Sequence, residues 1–383
     1  MADPIETWLA RDPDLEHDPL PGMRRAGLLE PVADYAAIGR GKAVLVERTG
    51  RLGIGGVWGG RQLVFRHFLG GFGSAAQQAA WSGRALSVAI SEPEVGAHPK
   101  LLSTRAEVVG QGFRISGRKA WVSDGPSADA IIVFAITGQD RGRKRYSAFL
   151  VPSDTPGLGF EEMAGFHALR PSRHCLLTLE GAVVPAAAML GAEGGAYEAM
   201  ALPFRDIEDA VGTFGTLGAL RHAVGLFAGA GGATQAAGRG TAPLAAAGPG
   251  SAAGPGAAEI GAELGAIVAL VAVLQAGAEA VVGRLDSGPM RTGEATLVGL
   301  RILAIEILGR VRAQALMLAP GVRDRLAGLL ADLDATLSIA RGARLARQVR
   351  LGEAALRGGA AGGGTGSGGT GSGGTGSGGT VGG

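Results

Sequence analysis

The chain has 383 residues, of which 46% are hydrophobic and 18% charged, with a formal net charge of +2. That length suffices for two or three substructures and a sizeable core, and the near-balanced charge offers no basic surface for nucleic acid or an acidic membrane. A single cysteine, Cys175, excludes an internal disulfide framework and points to a reducing cytoplasm. With no activating partner in the sequence, it reads as a buried strand residue rather than a nucleophile.

The N-terminal stretch, MADPIETWLARDPDLEHDP, carries acids and lacks a basic segment followed by an apolar one, so no signal peptide is expected. Short helices are expected over Met23–Leu29, Leu63–Leu69 and Ser74–Trp81. Between the first two, Gly53-Ile54-Gly55-Gly56-Val57-Trp58-Gly59 invites a dinucleotide-loop reading. The third glycine of that pattern falls on Trp58 and no strand precedes it, so a flexible loop between helices is expected instead.

Strand signals fill Leu86–Leu190. Phe113–Ser116 alternates, Ile131–Ile136 is a continuous apolar run, and Tyr146–Val151 follows a charged turn. Helical patterning then returns over Glu208–Ala228, Glu259–Arg284, Glu294–Leu318 and Arg323–Leu356. Leu264–Leu274 is the most apolar stretch, about eleven residues against the ~20 that span a bilayer, so a buried bundle helix is expected and no membrane. Ala228–Ala258 is dense in Gly and Pro and reads as a loop; from Gly358 a Gly/Ser/Thr repeat reads as a flexible tail. The residues themselves therefore indicate an α+β protein with a β middle.

Two segments add chemistry to that outline. Ser91-Glu92-Pro93-Glu94-Val95-Gly96 and Gly117-Arg118-Lys119-Ala120-Trp121-Val122-Ser123-Asp124-Gly125 resemble the TEPxxGSD and GxKxWITNG motifs of acyl-CoA dehydrogenases. Trp81-Ser82-Gly83-Arg84 upstream resembles the turn before the first motif. Gly165–Ser172, Val184-Pro185 and Leu190–Gly194 downstream resemble the family's GMRGS turn and VPxxxLLG segment. The likeness covers about Leu69–Gly218. It implies an acyl-CoA dehydrogenase-like fold: N-terminal helices (1–85), a middle β-barrel-like domain (86–191) and a C-terminal helical bundle (192–357) interrupted by the loop at 228–258, then the tail at 358–383.

The resemblance also implies FAD as cofactor, an acyl-CoA substrate, electron transfer flavoprotein as acceptor, and assembly into a homo-oligomer or a heteromer with a second dehydrogenase-like subunit. Trp121 would cover one face of the isoalloxazine. Ser91 would serve its pyrimidine edge, and Val122 and Ser123 its N5 side. Ala97 and His98 stand where the family has Ser-Asp, so Ala97 removes a hydroxyl from the expected substrate contact; His98 reads as an exposed loop residue.

Dehydrogenation at Cα–Cβ needs a carboxylate base whose pKa is raised by desolvation. The late YEGT-type loop that usually carries it is absent between Gly321 and Arg357, as is the R-Q-F-G motif of the adenine side. A minority arrangement reads DLER before a Leu-Gly. Aligning on Leu217-Gly218 puts Glu208 at the base position and Asp209 in place of the arginine, facing substrate. The alternative account of Glu208 is an acidic first helical turn that complements the helix dipole. Three activities follow: a dehydrogenase forming a 2,3-enoyl-CoA, a non-catalytic subunit of a heteromeric dehydrogenase, or a flavin oxidase or monooxygenase on the same fold. No metal site is expected.

Overall fold

A computed structural model describes residues 3–11, 13–237, 255–287 and 294–362. They fall in two compact units, Met1–Ile339 and Ala340–Gly383. The first opens with α1 (Pro4–Leu9), α2 (Leu20–Arg25) and α3 (Tyr35–Thr49); α1 and α3 were not anticipated, and α2 overlaps only the start of the helix expected over Met23–Leu29. Asp34 caps α3 by accepting from Ala37 N, and Asp286, far along the chain, accepts from Tyr35 N (2.8 Å) and Ala36 N (3.0 Å). The start of α3 is thus satisfied by side chains, one of them tertiary.

The glycine-rich segment expected as a flexible loop is the interior of α4 (Leu52–Val64). Each glycine costs a helix about 1 kcal/mol relative to alanine, but here the helix is buried through Ile54, Val57, Trp58 and Leu63. The glycines serve close approach. A Cβ on Gly53 would sit 2.0 Å from the Leu169 carbonyl oxygen, and one on Gly55 2.5 Å from Val46 Cγ2. Tertiary packing overrides propensity. The helix runs on through a π turn at Phe65–Leu69 into α5 (Gly70–Phe72), and α6 (Ala75–Trp81) follows with a Ser74/Gln77 capping box.

Eight strands come next: β1 (Leu86–Ala89), β2 (Arg105–Val109), β3 (Gly112–Ser123), β4 (Ala130–Asp140), β5 (Arg143–Pro152), β6 (Leu158–Glu162), β7 (His174–Pro185) and β8 (Met189–Leu190). They form one sheet in the order β6-β7-β3-β2-β4-β5-β8, with β1 parallel to β4. The continuous apolar run on β4 is explained by burial on both faces. Ile131, Val133 and Ala135 join Phe149, Val151, Leu177 and Leu179 in a core made almost entirely by strands. Ile132, Phe134 and Ile136 point the other way, into the core shared with the helices.

After a second π turn (Tyr197–Ala201), α7 (Leu202–Ala237), α8 (Pro255–Asp286), α9 (Glu294–Ala315) and α10 (Pro320–Ser338) complete the unit. The expected loop at 228–258 is therefore corrected at both ends. The helix α7 absorbs Ala228–Ala237, alanine-rich enough to continue it, and α8 starts at Pro255, where a proline at the first turn costs no hydrogen bond; 238–254 lie outside the described residues. Glu259–Asp286 of α8 is long and apolar enough to cross a membrane by length and composition, because Ala and Gly extend the eleven-residue apolar stretch. Ile267, Val271, Leu274 and Val281 are buried, whereas Val268 and Val273 are exposed.

The single helix expected over Arg323–Leu356 is two. The chain breaks at Ile339, which is extended, and Ala340, which is left-handed (φ 54°). The second unit holds α11 (Arg341–Gly362), with Glu353 and Arg357 paired at i, i+4. This helix takes in Gly358–Gly362, the beginning of the expected tail, by way of Ala360 and Ala361; 363–383 lie outside the described residues.

Candidate functional site

The site grows from an irregularity in β3. Lys119 pairs with Leu177 of β7 and Val122 with Cys175, so β3 carries one residue more than its partner between these points. The extra residue makes a β-bulge, and Trp121 takes the left-handed backbone conformation (φ 61°). An aromatic residue there is a genuine outlier, of the kind held at functional sites. Ala120 and Val122 point into the core, while Trp121, 41% exposed, and Ser123 face outward together.

The bulge also recruits the loop after β1. Ala120 N donates to the Ser91 carbonyl (2.9 Å), bringing half-buried Ser91 beside Trp121. The Ser87 hydroxyl donates to the Ser123 carbonyl (2.7 Å). Ser91, Trp121, Val122 and Ser123 are therefore assembled in one place.

Beneath them lies a buried ion pair. Lys119 Nζ is 3.0 Å from a Glu92 carboxylate oxygen and donates to the Ile90 carbonyl (3.2 Å), and both side chains are almost wholly buried. Glu92 also accepts from Ser103 N and Oγ (2.8 Å each) and Thr104 N (2.9 Å). Burial pushes the Glu92 carboxyl up, but the Lys119 charge and the Thr104 and Ser103 donors outweigh it and hold the group at about 2. Burial takes Lys119 down to about 8, against the pull of Glu92.

A second buried cluster anchors the end of β3. Asp124 accepts from Arg61 Nη1 of α4 (3.2 Å), Ser172 Oγ (3.2 Å) and Arg173 N (2.7 Å). The Trp121 ring meets Phe166 edge-on at 5.2 Å, and His174 packs against both rings. The His174 pKa is lowered by burial, and its buried Nδ1 has no hydrogen-bond partner.

The substrate-side candidates are more dispersed. Ala97 is exposed, and its carbonyl accepts from the Tyr197 hydroxyl (2.7 Å) of the turn leading into α7. Exposed His98 only braces its own loop, its Nδ1 accepting from Lys100 N (3.3 Å). On α7, Glu208 is exposed and Asp209 half-buried. Since α7 begins at Leu202, Glu208 is not in its first turn, and the helix-dipole account of it does not hold. Its charge instead meets Lys42 of α3, whose pKa burial lowers and Glu208 raises. The Lys42 stem runs along Gly59 of α4 and Gly215 of α7, where a Cβ would lie 3.1 and 2.9 Å away. Lys42, Arg61 and His174 were not singled out from sequence; a lysine or arginine inside an otherwise apolar helix was the available signal. Cys175 is buried on β7, which lifts its thiol to about 11, an unreactive state.

This helix–sheet–helix architecture is shared by solved structures, two of which hold FADH2 or FMN. Residues 87–182 match the acyl-CoA dehydrogenase middle domain. Cyclohex-1-ene-1-carbonyl-CoA dehydrogenase of Geobacter metallireducens is 36% identical over 108 residues, 28% of each chain. The chain thus matches less than a third of that relative's length. Among solved structures, glutaryl-CoA dehydrogenase of Mycobacterium smegmatis in complex with FADH2 superposes with a TM-score of 0.67 at 21% identity, covering 87% of this chain and 85% of that one. FMN-bound TdsC of Paenibacillus sp. A11-2, a dibenzothiophene monooxygenase, superposes with a TM-score of 0.68 at 21% identity, covering 89% and 93%. The sequence likeness to acyl-CoA dehydrogenases is thus confined to the middle domain, and the likeness of fold extends beyond it.

Proposed function

We propose that this protein is an FAD-dependent, acyl-CoA dehydrogenase-like oxidoreductase that forms a 2,3-enoyl-CoA, with Glu208 as the base. The observation that carries the reading is Trp121, an exposed aromatic side chain on a left-handed bulge between Ser91 and Ser123, inside the segment that matches the family. The residues fit an isoalloxazine: one apolar ring for its face, and two hydroxyls and the Val122 backbone N–H for its polar edges. What such a flavin supplies is acceptance of two electrons from a substrate C–H bond.

The remaining work falls to the chain. Glu208 would take the α-proton, and Asp209 and the Ala97 loop would border the substrate. An exposed carboxylate beside Lys42 is a weak base until substrate covers it, so desolvation on binding is part of this mechanism. The reading carries with it the three-part division at 85/86 and 191/192, a cytoplasmic location, and electron transfer flavoprotein as acceptor. The exposed Val268 and Val273 on α8 support assembly with a second copy or a related subunit.

A second reading, a flavin oxidase or monooxygenase, is favoured by the likeness to TdsC across most of the chain. A non-catalytic subunit is favoured by the exposure of Glu208. One experiment orders the three: the purified protein is examined for bound flavin, then titrated anaerobically with a panel of acyl-CoAs. Bleaching supports the dehydrogenase. Flavin that does not bleach but reacts with oxygen on reduction supports the second reading. Flavin appearing only with a partner chain supports the subunit.

A further inference from the structure

We infer that Lys119 and Glu92 are positioning residues that hold Ser91 and Trp121 in register for flavin binding. The inference rests on the flavin reading above, but its geometry stands without it. Two consecutive residues of β3 seize three consecutive residues of the loop: Lys119 Nζ binds Ile90 O and Glu92, and Ala120 N binds Ser91 O. Glu92 then reaches Ser103 and Thr104, closing the loop that contains Ala97. Thr104 lies against the same strand at Gly117, where a Cβ would meet the Thr104 Oγ1 at 2.5 Å.

Stability is a poor explanation for this pair. Two buried charges cost several kcal/mol each in desolvation, and apolar residues of similar volume commonly do as well. Apolar residues would fill the space but satisfy neither the Ile90 carbonyl nor the Ser103 and Thr104 amides. The charges fix where the loop lies on the bulge, and so where Ser91 stands relative to Trp121. The cation is the joint, because it alone bonds both the loop carbonyl and the carboxylate.

The charge on Lys119 can be removed by pH. Glu92 stays ionised down to about 2, Tyr146 is pushed up to about 12 and Cys175 to about 11, and the His174 pKa lies below its usual value. None of these changes charge between pH 7 and about 9.5, whereas Lys119, at about 8, does. The other charges around the bulge are Asp124, Arg61, Arg170 and Arg173, with Lys144 docked on the Leu102 carbonyl beside Ser103.

The test is the dissociation constant of FAD for the full-length apoprotein between pH 7 and 9.5, in the wild type and in Lys119→Met, which keeps the volume. Wild-type affinity should weaken with a one-proton dependence centred near 8. The variant should bind about tenfold more weakly at pH 7, with a flat profile, as when support behind a binding group is removed. Equal affinity in the variant, or a flat wild-type profile, overturns the inference; the wild-type profile decides if the variant does not fold. Should no flavin bind, the flavin reading fails, and the tryptophan emission of the flavin-free protein decides in a Trp81→Phe background, where Trp8 and Trp58 are buried and Trp121 alone is exposed. A shift centred near pH 8 that is absent in Lys119→Met sustains the positioning role, and constant emission overturns it.

Discussion

The close approach of α4 to the turn at Leu169–Arg170 can be tested with two alanines on one helix. A Cβ on Gly53 would lie 2.0 Å from the Leu169 oxygen, 2.3 Å from the Arg170 oxygen and 2.5 Å from the Arg170 carbonyl carbon; at Gly60 it would meet nothing within 4 Å. All three obstacles at Gly53 are backbone, and Leu169 N is itself tied to Asp332 (2.7 Å), so the turn cannot step aside cheaply. Both substitutions gain about 0.5–1 kcal/mol of helix propensity. At Gly53 the overlap costs about 1–3 kcal/mol, and the upper end applies against backbone. Gly53→Ala should therefore be destabilised by about 1–2 kcal/mol, and Gly60→Ala stabilised by up to ~1 kcal/mol. Urea unfolding followed by tryptophan emission reads the difference, since Trp58 is buried on the same helix. A Gly53→Ala protein as stable as Gly60→Ala would refute the packing argument, and with it the reason given for a glycine-rich helix.

Three further outcomes are expected. Glu208→Gln should abolish anaerobic bleaching by acyl-CoA while leaving flavin bound; unchanged bleaching removes Glu208 from the mechanism. Glu92→Gln should lose about 3–5 kcal/mol in denaturant unfolding, because it leaves Lys119 buried without its counter-charge. The Glu92 contribution is complete above its unfolded value of 4.5 and is lost as pH falls toward about 2, so the variant should show a flatter acid limb; a parallel limb contradicts the assignment. Cys175, 1% exposed with its thiol at about 11, should resist an aromatic disulfide reagent at pH 8 and react only on unfolding. Prompt labelling of the native protein would show that β7 is not packed as described.

The legible parts of the sequence were those whose signal is local. The alternation and apolar runs on β3, β4 and β5 were read as strands, and the Ser91–Gly96 and Gly117–Gly125 segments carried the family resemblance. Gly53–Gly59 was misread because glycine signals a loop by propensity, and only the nearby Leu169 and Val46 reveal it as a contact surface. The break at Ile339–Ala340 left no comparable mark, since no proline or glycine stands there. Glu208 was named, but its exposure and its lysine neighbour are properties of α3 and α7 together.

By itself the sequence determined the order of helix, sheet and helix, because periodicity is a property of neighbours along the chain; the grouping of Ser91 with Trp121 and Ser123 came from the family resemblance of two short motifs. Only the tertiary structure decided that Trp121 stands outward on a left-handed residue, that Lys119 is spent on Glu92 and Ile90, and that Glu208 faces Lys42. Each of these depends on which distant groups exclude water from a charge or fill the space beside it, and that is set by packing rather than by adjacency.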